Sequence, residues 1–169
     1  MTFFFPFSFF MSLNSFSKIC PQAVDNFILF CQSTIIPGVG MTKFQYRDCP
    51  VHRVVRNGWF QTGDIVDGSG KNSMCAFGHS DTVPDQCFSV DFGFPLGGIV
   101  GYANTGAHSG RSQFFVTLGP CAWMNHKFQG FGRVIRGFET LAAINQVPVS
   151  NQVPVGKVVI SECRPFPEV

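Results

Sequence analysis

The stretch HRVVRNGWFQTGD, residues 52–64, alternates apolar and polar side chains on either side of an Asn-Gly pair, the pattern of two antiparallel strands joined by a tight turn. Two registers are open to it. A two-residue Asn57-Gly58 loop pairs Arg56 with Trp59 and sets Arg53 opposite Thr62, leaving Gln61 on the other face. A three-residue loop, Arg56-Asn57-Gly58 with the glycine left-handed, pairs Val55 with Trp59 and Arg53 with Gln61. In that register Arg53, Val55, Trp59 and Gln61 share one face, where a cation and an amide beside an aromatic can hydrogen-bond a peptide carbonyl and pack an apolar ring. An exposed strand face with an incidental Arg and Gln fits the same letters.

Working outward, short apolar runs broken by Gly, Pro, Asn and Asp predict further strands at GGIVGYA (97–103), SQFFVTLG (112–119), FQGFGRVI (128–135) and GKVVISEC (156–163). Helical spacing appears in only two places. PQAVDNFILFCQS (21–33) starts at a proline and carries Ala23, Phe27, Leu29 and Phe30 on its apolar side, and FETLAAINQ (138–146) follows Gly137. Many strands with two helices predict a mainly β, closed antiparallel barrel rather than an alternating α/β sheet. A chain of 169 residues suits one domain.

Composition narrows the function. Charged residues make up 13% of the chain and the net charge is +2 without any Lys/Arg run, so neither nucleic acid nor a membrane is an expected partner. Seven cysteines lie scattered with no Cys-x-x-Cys pair, which predicts reduced thiols in a cytoplasmic protein, with no disulfide framework and no metal site. GSGKN (68–72) lacks the glycine and the Ser/Thr that a phosphate loop needs and reads as a turn. The opening MTFFFPFSFFMSLNSF has no basic residue before Lys18, is interrupted by Pro6 and offers no small-residue cleavage site, so it matches a secretory signal poorly.

Three more stretches, GYANTGAHSGRSQFFVTLG (101–119), CAWMNHKF (121–128) and FGRVIRG (131–137), join VHRVVRNGWFQTGD in a set that resembles the cyclophilins, the cyclosporin-binding peptidyl-prolyl isomerases. The similarity runs from about Lys18 to Cys163, and the ANTG to SQFF block with Trp123 beyond it keeps the family's spacing without a gap. The resemblance implies an antiparallel barrel, of eight strands in the family, with two capping helices and an active site on the barrel's outer face. It implies Arg53 as the catalytic residue, with Gln61, Ala103, Asn104, Gln113, Phe115 and Trp123 matching substrate-binding positions and Met124 standing for a pocket leucine. The implied activity is cis-trans isomerisation of X-Pro peptide bonds in support of protein folding, without cofactor or metal, by a monomer whose partners are proline-containing peptide segments and cyclosporin.

The chain also departs from the family. Gly58 stands where most active members have phenylalanine, Trp59 replaces the methionine that follows, and Phe128 replaces a histidine at the pocket edge. Trp59 and Phe128 refill the lost ring volume, or else leave a shallow pocket that binds proline peptides with little turnover. Ahead of the first helix only FSKICP is recognisable, so the barrel is expected to lack one N-terminal strand and most of a second. On this reading residues 1–17 form a Phe-rich leader and residues 18–169 the cyclophilin-like domain.

Overall fold

The hairpin over residues 52–64 takes the three-residue register in the computed structural model, which describes residues 11–86, 88 and 93–165. Strand β4 (Arg53–Val55) pairs with β5 (Trp59–Thr62), Val55 opposite Trp59 and Arg53 opposite Gln61. One detail of the expected turn is corrected. Asn57, at φ 58°, is the left-handed residue, and Gly58 is not among those with positive φ. The cause is tertiary: the Asn57 N–H donates to Asn145 Oδ1 at 2.8 Å, and Asn145 Nδ2 donates back to Asn57 Oδ1 at 3.0 Å. Asparagine tolerates that backbone region, and the reciprocal pair holds it there.

Around the hairpin runs an antiparallel sheet in the order β1-β8-β6-β7-β5-β4, with β1 at Ser12–Ser15, β6 at Ile99–Tyr102, β7 at Phe114–Thr117 and β8 at Gly130–Arg136. Strand β5 buries Phe60 and Thr62 and leaves Trp59 and Gln61 half-buried, the period-2 alternation of a strand with one face inward. All four residues of β7 are buried because both its faces are covered. Phe114 meets Phe27 and Tyr46 edge-on inside, whereas Phe115 lies under aromatic rings outside.

Two short pairs complete the strands: β2 (Thr34–Ile35) with β3 (Lys43–Phe44), and β9 (Val149–Ser150) with β10 (Val153–Pro154). The expected strand over 156–163 does not form as a regular element. Val159 makes a single antiparallel bridge to Pro50, and main-chain bonds tie Asp48, Cys49 and Val51 to Val158 and Ile160. The barrel is therefore open, since among the described residues no hydrogen bonds join this segment to β1 at the sheet's other edge. Strand β1 falls inside the stretch read as leader and pairs with β8, while residues 1–10 of that stretch lie outside the described residues.

Helix α1 (Pro21–Gln32) buries Ala23, Val24 and Phe30, and, against its apolar reading, Asn26. Asn26 Nδ2 donates to Tyr102 Oη at 2.8 Å and to the Arg111 carbonyl at 3.0 Å, and its Oδ1 accepts the Ala76 N–H at 2.8 Å. A fully buried amide is tolerated because its groups are used, and it ties α1 to β6 and two loops at one point. Helix α2 (Phe138–Gln146) begins after Gly137, held at φ 87°, and turns Leu141 and Ile144 inward while Phe138 stays 54% exposed. At the chain's end the Cys163 and Cys31 sulfurs approach to 2.7 Å and hold the C-terminal segment to α1.

Replacing Asn26 by Ala leaves the buried Ala76 N–H and the part-buried Arg111 carbonyl without that partner. The loss expected in urea unfolding is about 2–4 kcal/mol, without change of fold by circular dichroism.

Candidate functional site

The register that pairs Arg53 with Gln61 also pairs Gln61 with Phe115 on β7, and Phe115 with Gly101 on β6. Residues directly opposite one another in a sheet point to the same side, so Arg53, Gln61 and Phe115 form a row across three strands on the outer face. Gly101 completes the row by having no side chain. A Cβ there would fall 2.7 Å from Phe115 Cζ, so the ring lies down across β6.

The polar half of the row is held from behind. Gln61 Nε2 donates to Gln113 Oε1 at 2.8 Å, and Gln113 Nε2 donates to the carbonyls of Asn72 and Gly70 at 2.8 and 3.1 Å. Those carbonyls belong to the turn that GSGKN predicts. Its shape depends on Asp64, only 1% exposed, whose carboxylate accepts from the N–H groups of Val66, Asp67, Gly70 and Asn72 and from the Ser69 hydroxyl. Five donors on one buried carboxylate offset its desolvation and make the turn a rigid acceptor for Gln113.

The apolar half is a cluster of Phe115, Met124, Phe94 and Cys121, with Trp59, Ile99 and Phe128 packed at its edge. Met124 is placed by a one-turn 3-10 helix, Ala122–Met124, that leaves neighbouring Trp123 52% exposed. Phe128 stands edge-on to Phe115 at 5.6 Å and to Trp123 at 6.1 Å, and Trp59 meets Trp123 at 5.6 Å. These rings leave Phe115 only 2% exposed, an apolar floor beneath an aromatic rim. Ala103 and Asn104 continue from β6 beside it, half-buried. The Ala103 N–H is taken by the Gln113 carbonyl at 3.0 Å and Asn104 Nδ2 by the Lys127 carbonyl at 2.9 Å.

Arg53 stands at the exposed end of the row with its guanidinium carbon 5.2 Å from the centre of the Trp59 ring. Its Nε–H donates to Gln152 Oε1 at 2.7 Å. The structure thus gathers the ten sequence-predicted site residues on one side of the sheet, and adds Phe94, Cys121, Asp64 and Gln152. Nothing local marks Gln152, which lies 99 residues from Arg53 in sequence. Asp64 does carry a signal, an acidic residue just before a Gly/Ser turn whose main-chain donors need an acceptor.

His52 sits under the same turn, its ring so close to Gly70 that a Cβ on the glycine would be 2.5 Å from Cδ2. Both ring nitrogens are buried, and neither makes a hydrogen bond of normal geometry. Burial holds the imidazole pKa below its ordinary value, the Asp64 charge opposes that shift, neighbouring Arg53 adds to it, and the nearby Gln113 side chain opposes it.

A family model for the cyclophilin type peptidyl-prolyl cis-trans isomerases matches residues 11–165. The chain is similar to the probable inactive peptidyl-prolyl cis-trans isomerase-like 6 of Bos taurus, 36% identical over 146 residues that make up 86% of this chain and 46% of that protein. The human protein of the same description is 36% identical over 140 residues, 83% of this chain and 44% of its own length. A peptidyl-prolyl cis-trans isomerase of Arabidopsis thaliana is 30% identical over 155 residues, 90% of this chain and 75% of that protein. The chain thus spans less than half the length of these two mammalian relatives.

A depressed histidine pKa has a defined sign in stability. The unfolded chain binds the His52 proton more readily, so the neutral ring's contribution is complete above the ordinary histidine pKa of about 6.5 and is lost as pH falls through the folded value. Denaturant midpoints taken between pH 7.5 and 5 are expected to fall, and His52→Gln is expected to flatten that part of the profile.

Proposed function

The chain belongs to the cyclophilin-type peptidyl-prolyl cis-trans isomerase family, and we propose that it binds extended peptide segments at proline and catalyses rotation about the X-Pro bond. The observation that carries this reading is the row of Arg53, Gln61 and Phe115, which sets a cationic side chain and an apolar floor on one face with a single strand between them. Rotation about an X-Pro bond is slow because it breaks C–N resonance, against a barrier of about 20 kcal/mol. In the twisted state the proline nitrogen becomes pyramidal and regains its lone pair. A donor held near that nitrogen or the adjoining carbonyl then binds the twist more strongly than the planar ground state. A thousandfold acceleration needs only about 4 kcal/mol, within reach of one charge-assisted hydrogen bond in a partly dry site.

In this scheme Arg53 supplies the donor, and Gln61 and Gln113 form the polar wall that keeps its neighbourhood fixed. Phe115 and Met124 form the floor for the proline ring, and Trp59, Trp123 and Phe128 the rim, an apolar burial of about 1.5–3 kcal/mol. The Ala103 carbonyl and Asn104 Oδ1 remain for the main chain of an extended substrate, since the Ala103 N–H and Asn104 Nδ2 already have partners. Cyclosporin is proposed as a competitor for the same notch, and exposed proline segments of unfolded chains in the cytoplasm as the natural clients. Neither a cofactor nor an oligomeric partner has a role in this scheme.

A second reading is a proline-peptide-binding domain without turnover. What favours it is the 2% exposure of Phe115 beneath Phe128, together with the similarity to relatives described as probably inactive. The two readings assign Phe128 opposite roles, as a wall that grips the ring or as a plug that fills its place.

Exchange NMR on a proline peptide is expected to show isomer interconversion accelerated by the wild type. Arg53→Ala is expected to cut kcat/KM by about 100- to 1000-fold with little change in KM. A wild type that leaves exchange at the rate in buffer removes the enzyme reading. Phe128→Ala is expected to weaken peptide binding, followed by tryptophan fluorescence, by about tenfold. Tighter binding would instead identify Phe128 as a plug and favour the second reading.

A further inference from the structure

Gln152 grips β4 at two consecutive residues. Its carbonyl accepts the Val54 N–H at 2.7 Å, and its side-chain Oε1 accepts the Arg53 Nε–H at 2.7 Å. It does so from the two-residue turn between β9 and β10, in which Asn151 and Gln152 take φ of 50° and 68°. A turn with two left-handed residues favours Asn-Gly, so a glutamine in the second place is a poor choice for the turn itself. The main-chain bond to Val54 would survive a glycine. What a glycine cannot supply is the amide oxygen on Arg53.

That oxygen has little to do for the fold. Arg53 and Gln152 are both exposed, and hydrogen bonds between exposed side chains contribute little to stability. Its effect is on direction. The Trp59 ring bounds the guanidinium on one side, and the Gln152 amide takes Nε–H, the one donor on the side-chain stem. Among the described residues neither terminal nitrogen has a protein acceptor, which leaves the two groups that reach furthest to meet a bound peptide. A long side chain with several free torsions is thus held before the ligand arrives.

We propose that Gln152 is a positioning residue for Arg53, acting on the bound proline segment only through the guanidinium, and that the left-handed glutamine is kept for this purpose at a cost to the turn. The proposal rests on the reading of Arg53 as the donor to the twisted bond.

The informative variant is Gln152→Gly, because it separates stability from orientation. It is expected to raise the thermal midpoint, since glycine suits the turn. It is also expected to lower kcat/KM by about tenfold, the loss falling on kcat. In an Arg53→Ala background the same change is expected to have no further effect on kcat/KM, whereas a full additional tenfold loss would overturn the proposal. Full activity in Gln152→Gly would overturn it too.

A readout independent of turnover is the Arg53 15Nε–H resonance, assigned as the arginine signal that disappears in Arg53→Ala. It is expected to be protected from solvent exchange in the wild type and in Gln152→Glu, which keeps an acceptor, and to lose protection in Gln152→Gly. An Arg53 Nε–H no better protected in wild type than in Gln152→Gly overturns the hold itself. A wild type with that resonance protected but no isomer exchange removes the isomerase reading alone. In that event tenfold weaker peptide binding by Gln152→Gly would uphold the positioning role, and unchanged binding would end it.

Discussion

Strand register is the constraint on which the rest of this molecule depends. Side chains alternate with a period of two, so a slip of one residue in the β4–β5 pair would send Gln61 toward the core and Phe60 to the surface. The hydrophobic effect forbids that slip, because Phe60 is 2% exposed and Val54 1%. The same pairing passes to β7 and then β6, carrying Arg53, Gln61 and Phe115 into line without any direct contact having to be encoded for that purpose. The Asn57–Asn145 exchange of hydrogen bonds closes the hairpin's loop in the matching geometry.

The site joins two kinds of order that rarely share one face. On the polar side a relay of amides runs from Gln61 through Gln113 to a turn organised by the buried Asp64 carboxylate, and each member leaves few unpaired groups to reorganise. On the apolar side, contact among aromatic edges and faces withdraws Phe115 and Met124 from water. Arg53, the cation at the exposed end of the row, touches one group of each kind, the Trp59 ring and the Gln152 amide. In the proposed scheme a proline ring takes the apolar surface and its amide the donor.

Elsewhere the fold carries an open seam. Strand β1 is only four residues long, and the segment around Val159 pairs with the chain ahead of β4 by scattered main-chain bonds rather than a ladder. Short or irregular edges are poor templates for further strand addition, one physical route by which an unclosed sheet stays out of aggregates. The row of Arg53, Gln61 and Phe115 is set by β4, β5 and β7, whose pairings do not involve β1.

Local pattern was enough to place β4 to β8 and both helices, because period-2 and period-3.6 alternation report directly on which face is buried. The motif blocks likewise carried the family and the candidate site residues. Local pattern left two hairpin registers equally open, placed the left-handed turn residue one position late, and missed Asn26 as a buried amide. Those choices were made by partners distant in the chain: Asn145 for the turn, Tyr102 and Ala76 for Asn26, and Gln152 for Arg53. Each is a hydrogen bond whose partner comes into reach only once the sheet has brought the two segments together. Residue order alone determined which side chains would seek burial and where the chain would turn. Long-range pairing decided how the polar groups left over would be satisfied, because a donor's need for an acceptor sets no spacing along the chain.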